Sequence, residues 1–357
     1  MGLLDWFRRS EAPQLDEVLA RDPATLPPRA TSVIHRQPAT PAPITPMAFA
    51  GEAAEQVARD LYAKAATMTD PNDRRYVSTL IRAVKNDGVE LPAMPEDVVR
   101  VQRVLASPDC SAGNLARAIK HDPAMATRFI SVANSPIYRR GERTHTLEDA
   151  IVRVGMKQAT SLVLAIVSKA KMFRVADDQA TADQLHHHAL AAGVAAKLIA
   201  QTPEVERDAF IGGMLHDLGR VFLLTVAGDQ FRTSRGASRP RHTTVEYLLD
   251  ELHAGFSGLV AERWGFSQAL VHALLHHHLP EEGGAELVIL VPPFAEDLTH
   301  TLACADLVAH LVLGEELEDG REAALAAMLE KLGAGEPDEV VVDTKDAYEA
   351  LQYELGG

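Results

Sequence analysis

From about residue 51 onward, apolar residues recur every three or four positions, the spacing of helices that bury one face. "AAEQVARDLYAKAATM", from residue 53, has this pattern. Asp122 followed by Pro123 reads as an N-cap and a first helical residue, and Met125, Phe129 and Val132 then recur at helical spacing. Thr146 stands three residues before Asp149, a variant capping box, ahead of Ala150, Ile151, Val154 and Gly155. "SLVLAIVSKAKMF", from residue 161, is apolar on most of its surface and predicts a buried helix. Further helices are predicted around 321–332 and 344–353. The one plausible strand signal, "ELVILVPP" at 286–293, is cut short by its prolines. No internal repeat is evident. The pattern predicts an all-α protein.

Composition agrees. The 357 residues are 46% hydrophobic and only 5% aromatic, rich in Ala and Leu, which favours helices and can bury a good core. Residues 1–50 differ: a short amphipathic stretch with Leu3, Leu4, Trp6 and Phe7 precedes a linker in which residues 23–46 hold seven of the chain's 20 prolines. Neither a secretory signal nor an apolar run near the roughly 18 residues of a membrane span is apparent. Cys110 and Cys304 sit in no metal-like spacing, and a reduced cytoplasm is the expected setting. The net charge of −15 is uneven, since 13 acidic and 3 basic residues follow from Glu315 to the end. An acidic chain without a basic cluster argues against non-specific nucleic-acid binding, and the acidic tail reads as a solvated surface.

Chemistry enters with the histidines, 15 in all, most of them between residues 186 and 310. "IGGMLHDLGR" places His216 beside Asp217 in an apolar, glycine-rich run. In "LHHHALAAGVAAKLIA", His188 falls on the stripe of Leu185, Ala189, Ala192 and Ala196, while His186 and His187 point away. In "VHALLHHHLP", Val271, Leu274 and His278 share a helical face with His277 adjacent, and in "HTLACADLVAHL" Asp306 faces inward with Leu302 and Ala309. His253 begins a helix that runs through Gly258, Leu259 and Glu262. A second His-Asp pair, His121-Asp122, is helix punctuation, because Asp122 already has a role as a cap. Buried imidazoles and carboxylates need partners, and an unpaired buried carboxylate costs several kcal/mol. His188, His216, Asp217, His253, His277, His278 and Asp306 lie on successive predicted helices, and a cation would neutralise the acids and satisfy the rings together. The mixed nitrogen and oxygen set favours Fe, Mn or Zn, and it is large enough for two bridged ions.

These segments resemble a family. The opening "VELPAMPEDVVRVQRVLASPDCSAGNLARAIKHDPAMATRFISVANSPIY", then "TLEDAIVRVG", then "GGMLHDLGR" to "LLHHHLP", are similar to the HDOD family, HD-related output domains of bacterial signalling proteins within the HD superfamily. The resemblance covers roughly residues 88–285, leaving 51–87 as a helical lead-in and 286–357 as a C-terminal helical extension. It implies an N-terminal helical bundle packed on an HD-like helical bundle. By the same resemblance His188, His216, Asp217 and Asp306 match the HD ligands. His253, His277 and His278 match the extra ligands of dinuclear members such as HD-GYP phosphodiesterases. Arg220 replaces the Lys common three residues after the pair; it can clamp a phosphate but cannot act as a base. His278 is followed by "LPEEGGAELV" and not by "GYP", which argues against cyclic-di-GMP hydrolysis. The family implies a regulatory module that binds a protein partner or a nucleotide without catalysis. The second implied reading is a metal-dependent phosphohydrolase in which the ions activate water and take up phosphoryl charge.

Overall fold

The computed structural model describes residues 51–85, 90–138, 141–175, 179–233, 240–278, 291–318 and 320–356, with side chains from 229 to 233 left aside. The amphipathic start, the proline-rich stretch and all of the strand signal except residues 291–293 lie outside these residues. Among the described residues the chain is helical throughout and contains no strand.

An antiparallel lead-in comes first: α1 (Glu52–Thr67) and α2 (Pro71–Val84). Asp70 starts α2 by accepting from the backbone of Asn72 and Asp73 ahead of a first-turn proline. The N-terminal bundle follows, with α3 (Glu96–Leu105), α4 (Ala112–Ile119), α5 (Pro123–Ala133), α6 (Leu147–Val154) and α7 (Ala159–Lys171). Asp122 caps α5 as predicted, accepting from Ala124 and Met125 at 2.9 and 3.2 Å, so its neighbour His121 sits exposed and away from any site. At α6 the Thr146 hydroxyl accepts from the Asp149 backbone N–H at 3.1 Å and donates to the Asp149 carboxylate at 2.6 Å.

The second bundle contains α8 (Gln179–Ile199), α9 (Pro203–Leu215), α10 (Leu218–Thr233), α11 (His242–Arg263), α12 (Gln268–Leu275) and α13 (Glu296–Val312). Helices α14 (Arg321–Leu332) and α15 (Pro337–Leu355) complete the described chain. The first coincides with the predicted helix, and the second is longer than the predicted 344–353. Helix α8 is central, packing on α7, α9, α13 and α15. The lead-in rests on α10, α11 and α12. It is fastened by the fully buried Asp73, whose carboxylate accepts from the Arg241 backbone at 2.8 Å and the Thr244 hydroxyl at 2.9 Å, at the start of α11.

Several expectations change here. His186 does not point away: it is 5% exposed, its Nε2 is 3.1 Å from the Ser168 hydroxyl, and its ring meets Phe173 edge-on. Because α8 is packed on α7, α9, α13 and α15, its buried face is wider than the apolar stripe a helical wheel shows. His253 does not begin a helix; it lies in the middle of α11, which starts at His242. His278 shares no helical face with Val271, because α12 ends at Leu275. The expectation of no membrane span is not among those that change. Pro203–Gly228 is long and apolar enough to cross a membrane, and 94% of its most apolar window is buried inside the fold, as a core helix pair requires.

Candidate metal centre

The His216-Asp217 pair stands at the junction between two helices and not inside one. Helix α9 ends at Leu215, and α10 begins at Leu218. Glycines bring the neighbouring backbones close to this junction. A Cβ on Gly213 would lie 2.4 Å from the Ala192 carbonyl oxygen of α8, and one on Gly219 would lie 2.0 Å from the His253 carbonyl oxygen of α11. The glycine-rich spelling around the pair is therefore a packing requirement: side chains here would drive α8, α9 and α11 off the site. The Ser257 hydroxyl receives the Gly219 backbone N–H at 2.9 Å and ties the junction to α11.

All seven predicted side chains come together. His188 Nε2 is 3.1 Å from His216 Nε2 and 3.0 Å from Asp306 Oδ1. His216 Nε2 is 3.4 Å from the same carboxylate oxygen. Asp217 Oδ2 lies 3.8 Å from His216 Nε2 and 3.9 Å from His188 Nε2. The other carboxylate oxygen, Oδ1, faces His253 Nε2 at 3.4 Å, and His278 Nε2 is 2.8 Å from that same nitrogen. The ring of His277 lies against those of His216, His253 and His278. Asp217 thus stands between two donor sets, one oxygen toward each.

Tautomers follow from the local backbone. Nδ1 of His216 donates to the Gly213 carbonyl at 2.7 Å, His253 to Leu249 at 2.5 Å and His277 to Leu274 at 2.8 Å. With that proton placed, Nε2 presents a lone pair inward, the arrangement that prepares an imidazole to bind a metal. His277 Nε2 is buried with no hydrogen-bond partner. Two ligands about 2.0–2.2 Å from one ion at tetrahedral or octahedral angles stand about 3.0–3.5 Å apart. The His188, His216 and Asp306 spacings fall in that range. The orphaned nitrogen, the facing lone pairs and the mixed N/O donors fit a divalent transition ion.

Electrostatics agree for the two carboxylates and for His253 and His277, while the acids pull His216 the other way. Burial opposes a charge on Asp217, but Arg220, His216 and His253 outweigh it and hold the carboxyl well below its usual range. Burial likewise opposes Asp306, and its bonds to His188, His216 and His310 keep it ionised. Burial drives His253 and His277 well below the ordinary imidazole value, the first helped by Arg220 and the second by His278. Burial also opposes protonation of His216, yet Asp217 and Asp306 prevail and raise its pKa.

Arg220 is more committed than the sequence suggests. Its Nε donates to Asp217 Oδ1 at 2.9 Å, and Nη2 lies 3.3 Å from His253 Nε2. It is a fixed cation at the edge of the second donor set. The sequence reading missed His310, whose Nε2 is 3.5 Å from Asp306 Oδ1 and whose Nδ1 is 2.6 Å from Glu315. Burial disfavours its charge, but bonds to Asp306 and Glu315 lift its pKa to about 10. The available signal was its place four residues after Asp306 on one helix.

A helical bundle with a His-Asp pair at a helix junction, facing a second cluster of histidines, is the class of the HD proteins. Within that class the chain belongs to the HDOD family, whose HDOD domain matches residues 91–280. An uncharacterized protein of Treponema pallidum (strain Nichols) is 24% identical over 234 residues, covering 63% of this chain but only 43% of that relative's length. Among solved structures, a Shewanella amazonensis SB2B protein provisionally called a metal-dependent phosphohydrolase aligns with a TM-score of 0.60 at 20% identity, over 80% of this chain and 100% of the other. An HDOD domain protein with unknown function from Geobacter sulfurreducens aligns with a TM-score of 0.54 at 20% identity, over 84% of this chain and 97% of the other. These likenesses establish the fold.

Proposed function

We propose that this chain is a metal-holding HDOD module of bacterial signalling that works by binding a protein partner or a nucleotide and not by turnover. The observation that carries the reading is the meeting of His188, His216 and Asp306 within 3.0–3.4 Å, with Asp217 beside them. These four hold the first ion. Fe, Mn or Zn suits such a donor set. Arg220 neutralises Asp217 from the other side and occupies hydrogen-bonding capacity of His253, so the second set is already partly satisfied by the protein. That arrangement favours structural and binding use over a two-ion hydrolytic centre. Cys110 and Cys304 are free thiols, in keeping with a reduced cytoplasm.

The second reading is a phosphohydrolase or phosphodiesterase, favoured by the unpartnered His277 Nε2 and by the closeness of His253, His277 and His278. A second ion there would supply Lewis acidity to a phosphoryl oxygen. Arg220 would then have to release Asp217 to clamp phosphate. The separating experiment is hydrolysis of bis-p-nitrophenyl phosphate by protein loaded with Mn, Fe or Zn. The module reading expects a rate equal to that of His216→Ala. Metal-dependent release lost in both His216→Ala and His277→Ala would replace it with the enzyme reading.

A further inference from the structure

A cavity of about 260 Å³ lies where four helices meet, and none of the seven candidate metal ligands lines it. Arg128 of α5, with Ile166 and Lys169 of α7, brings the N-terminal bundle to its wall. His186 and Leu190 of α8 bring the second bundle, and Leu355 at the end of α15 closes it. Helix α15 lies beyond residues 91–280, the stretch matched by the family. It is pinned to α8 by the Tyr348 hydroxyl, 2.9 Å from His187 Nδ1.

The wall offers three kinds of chemistry. Ile166, Leu190 and Leu355 give apolar surface. Arg128 and Lys169 are its exposed, charged members, and among the described residues no carboxylate lines it. Lys169 shares its charge with Asp183 at 3.8 Å, whereas Arg128 has no ion-pair partner among the described residues. One cation is thus left uncompensated, in a chain of net charge −15. A planar guanidinium grips a carboxylate through two parallel hydrogen bonds. The third member is His186. The Ser168 hydroxyl donates to the Ala165 carbonyl at 2.9 Å, so toward His186 Nε2, at 3.1 Å, it can only accept. A neutral ring with its proton on Nε2 carries a lone pair on Nδ1. That nitrogen is buried with no hydrogen-bond partner, in a residue 5% exposed. A buried acceptor left unmet calls for a donor.

We propose that this cavity binds a small organic monoanion: an apolar body with one carboxylate for Arg128 and one hydroxyl or N–H for His186 Nδ1. Such a ligand would touch both bundles and α15 at once. The inference is independent of the ion site, and either can fail without the other. A multiply charged phosphate would find a single free cation and an apolar wall that solvates none of its remaining charge. As to size, a cavity of about 150 Å³ accepts benzene, so this one admits a ring with a short acidic side chain.

The test uses the full chain, with binding measured by calorimetry and thermal shift. The probes are phenylacetate, its 3- and 4-hydroxy derivatives, the uncharged phenylacetamide, and inorganic phosphate. Phenylacetate should bind about tenfold tighter than phenylacetamide, and one hydroxy isomer about fivefold tighter still. Arg128→Gln, a change at an exposed side chain, should erase the preference for acid over amide and leave phenylacetamide binding as it was. His186→Phe should erase the preference for the hydroxy acid and keep that for phenylacetate over its amide. Should His186→Phe fold poorly, the comparison of the two hydroxy isomers with phenylacetate on the parent protein decides the same point. An amide bound as tightly as the acid, an acid preference untouched by Arg128→Gln, phosphate bound more tightly than the acids, no gain from either hydroxyl, or no binding at millimolar probe would each overturn the inference.

Discussion

Replacing Gly219 by alanine tests whether backbone contact between α10 and α11 builds the site. The new Cβ would sit 2.0 Å from the His253 carbonyl oxygen and 3.0 Å from the His253 Cα. Carbon and carbonyl oxygen rarely approach closer than about 3.3 Å, so the helices must part by about 1.3 Å. Overpacking of this kind costs about 1–3 kcal/mol and sometimes more, while alanine in a helix returns up to about 1 kcal/mol. The obstacle is backbone and cannot rotate away, so a net loss of about 2 kcal/mol is expected. Asp217 and His253 move apart from their 3.4 Å spacing, which should weaken metal binding by about tenfold or more. Gly113 in α4 is the control: it is exposed and has nothing within 4 Å of its would-be Cβ. Gly113→Ala should be neutral or stabilise by up to about 1 kcal/mol. Urea unfolding of both variants, metal-free and loaded, measures the difference. If Gly219→Ala matched the parent within about 0.5 kcal/mol and held metal equally well, the close crossing would be wrong.

Other expectations follow from the same geometry. Burial, with His187 and Lys169 nearby, lowers the His186 pKa to about 4, so the unfolded chain takes its proton near 6.5 while the fold resists it. Stability from this group is full above pH 6.5 and is lost as pH falls toward 4, by up to about 3 kcal/mol. A His186→Phe variant should lose that part of the acid slope, and an unchanged slope would contradict the assignment. Arg220→Gln leaves Asp217 without its fixed cation. It should destabilise the metal-free protein by about 3 kcal/mol and the loaded protein much less, and equal losses in denaturant titrations would argue against a cation shared with the ion. Burial lifts the Cys304 thiol to about 12, whereas Cys110 is partly exposed. A thiol reagent should count one fast cysteine in the native protein and a second only after unfolding; two fast thiols would refute the packing of α13.

Local signals carried much of the fold. Asp122-Pro123 and Thr146 marked their helices because capping is a contact between near neighbours. The histidines and acids of the candidate site stood out because buried polar groups are conspicuous in an Ala- and Leu-rich chain. Helical-face reasoning failed where its assumptions failed. Helix α8 is buried on most of its surface, more than its polar residues suggest, so His186 was misplaced. Helix α12 stops before His278, which reaches the cluster from an irregular turn. The start of α11 was invisible because its N-cap residue, Arg241, makes no side-chain cap; the partner that steadies it, Asp73, comes from a helix 168 positions earlier. His310 escaped notice since half of its environment is Glu315, in the turn after α13, a pairing that helical spacing does not display.

The central claim is that one ion belongs among His188, His216, Asp217 and Asp306. Metal content of protein purified without chelator tests it directly. Near-stoichiometric Fe, Mn or Zn, lost together with thermal stability in His216→Ala and in Asp217→Ala, is the predicted result. Metal-free protein whose stability is untouched by His216→Ala would contradict it.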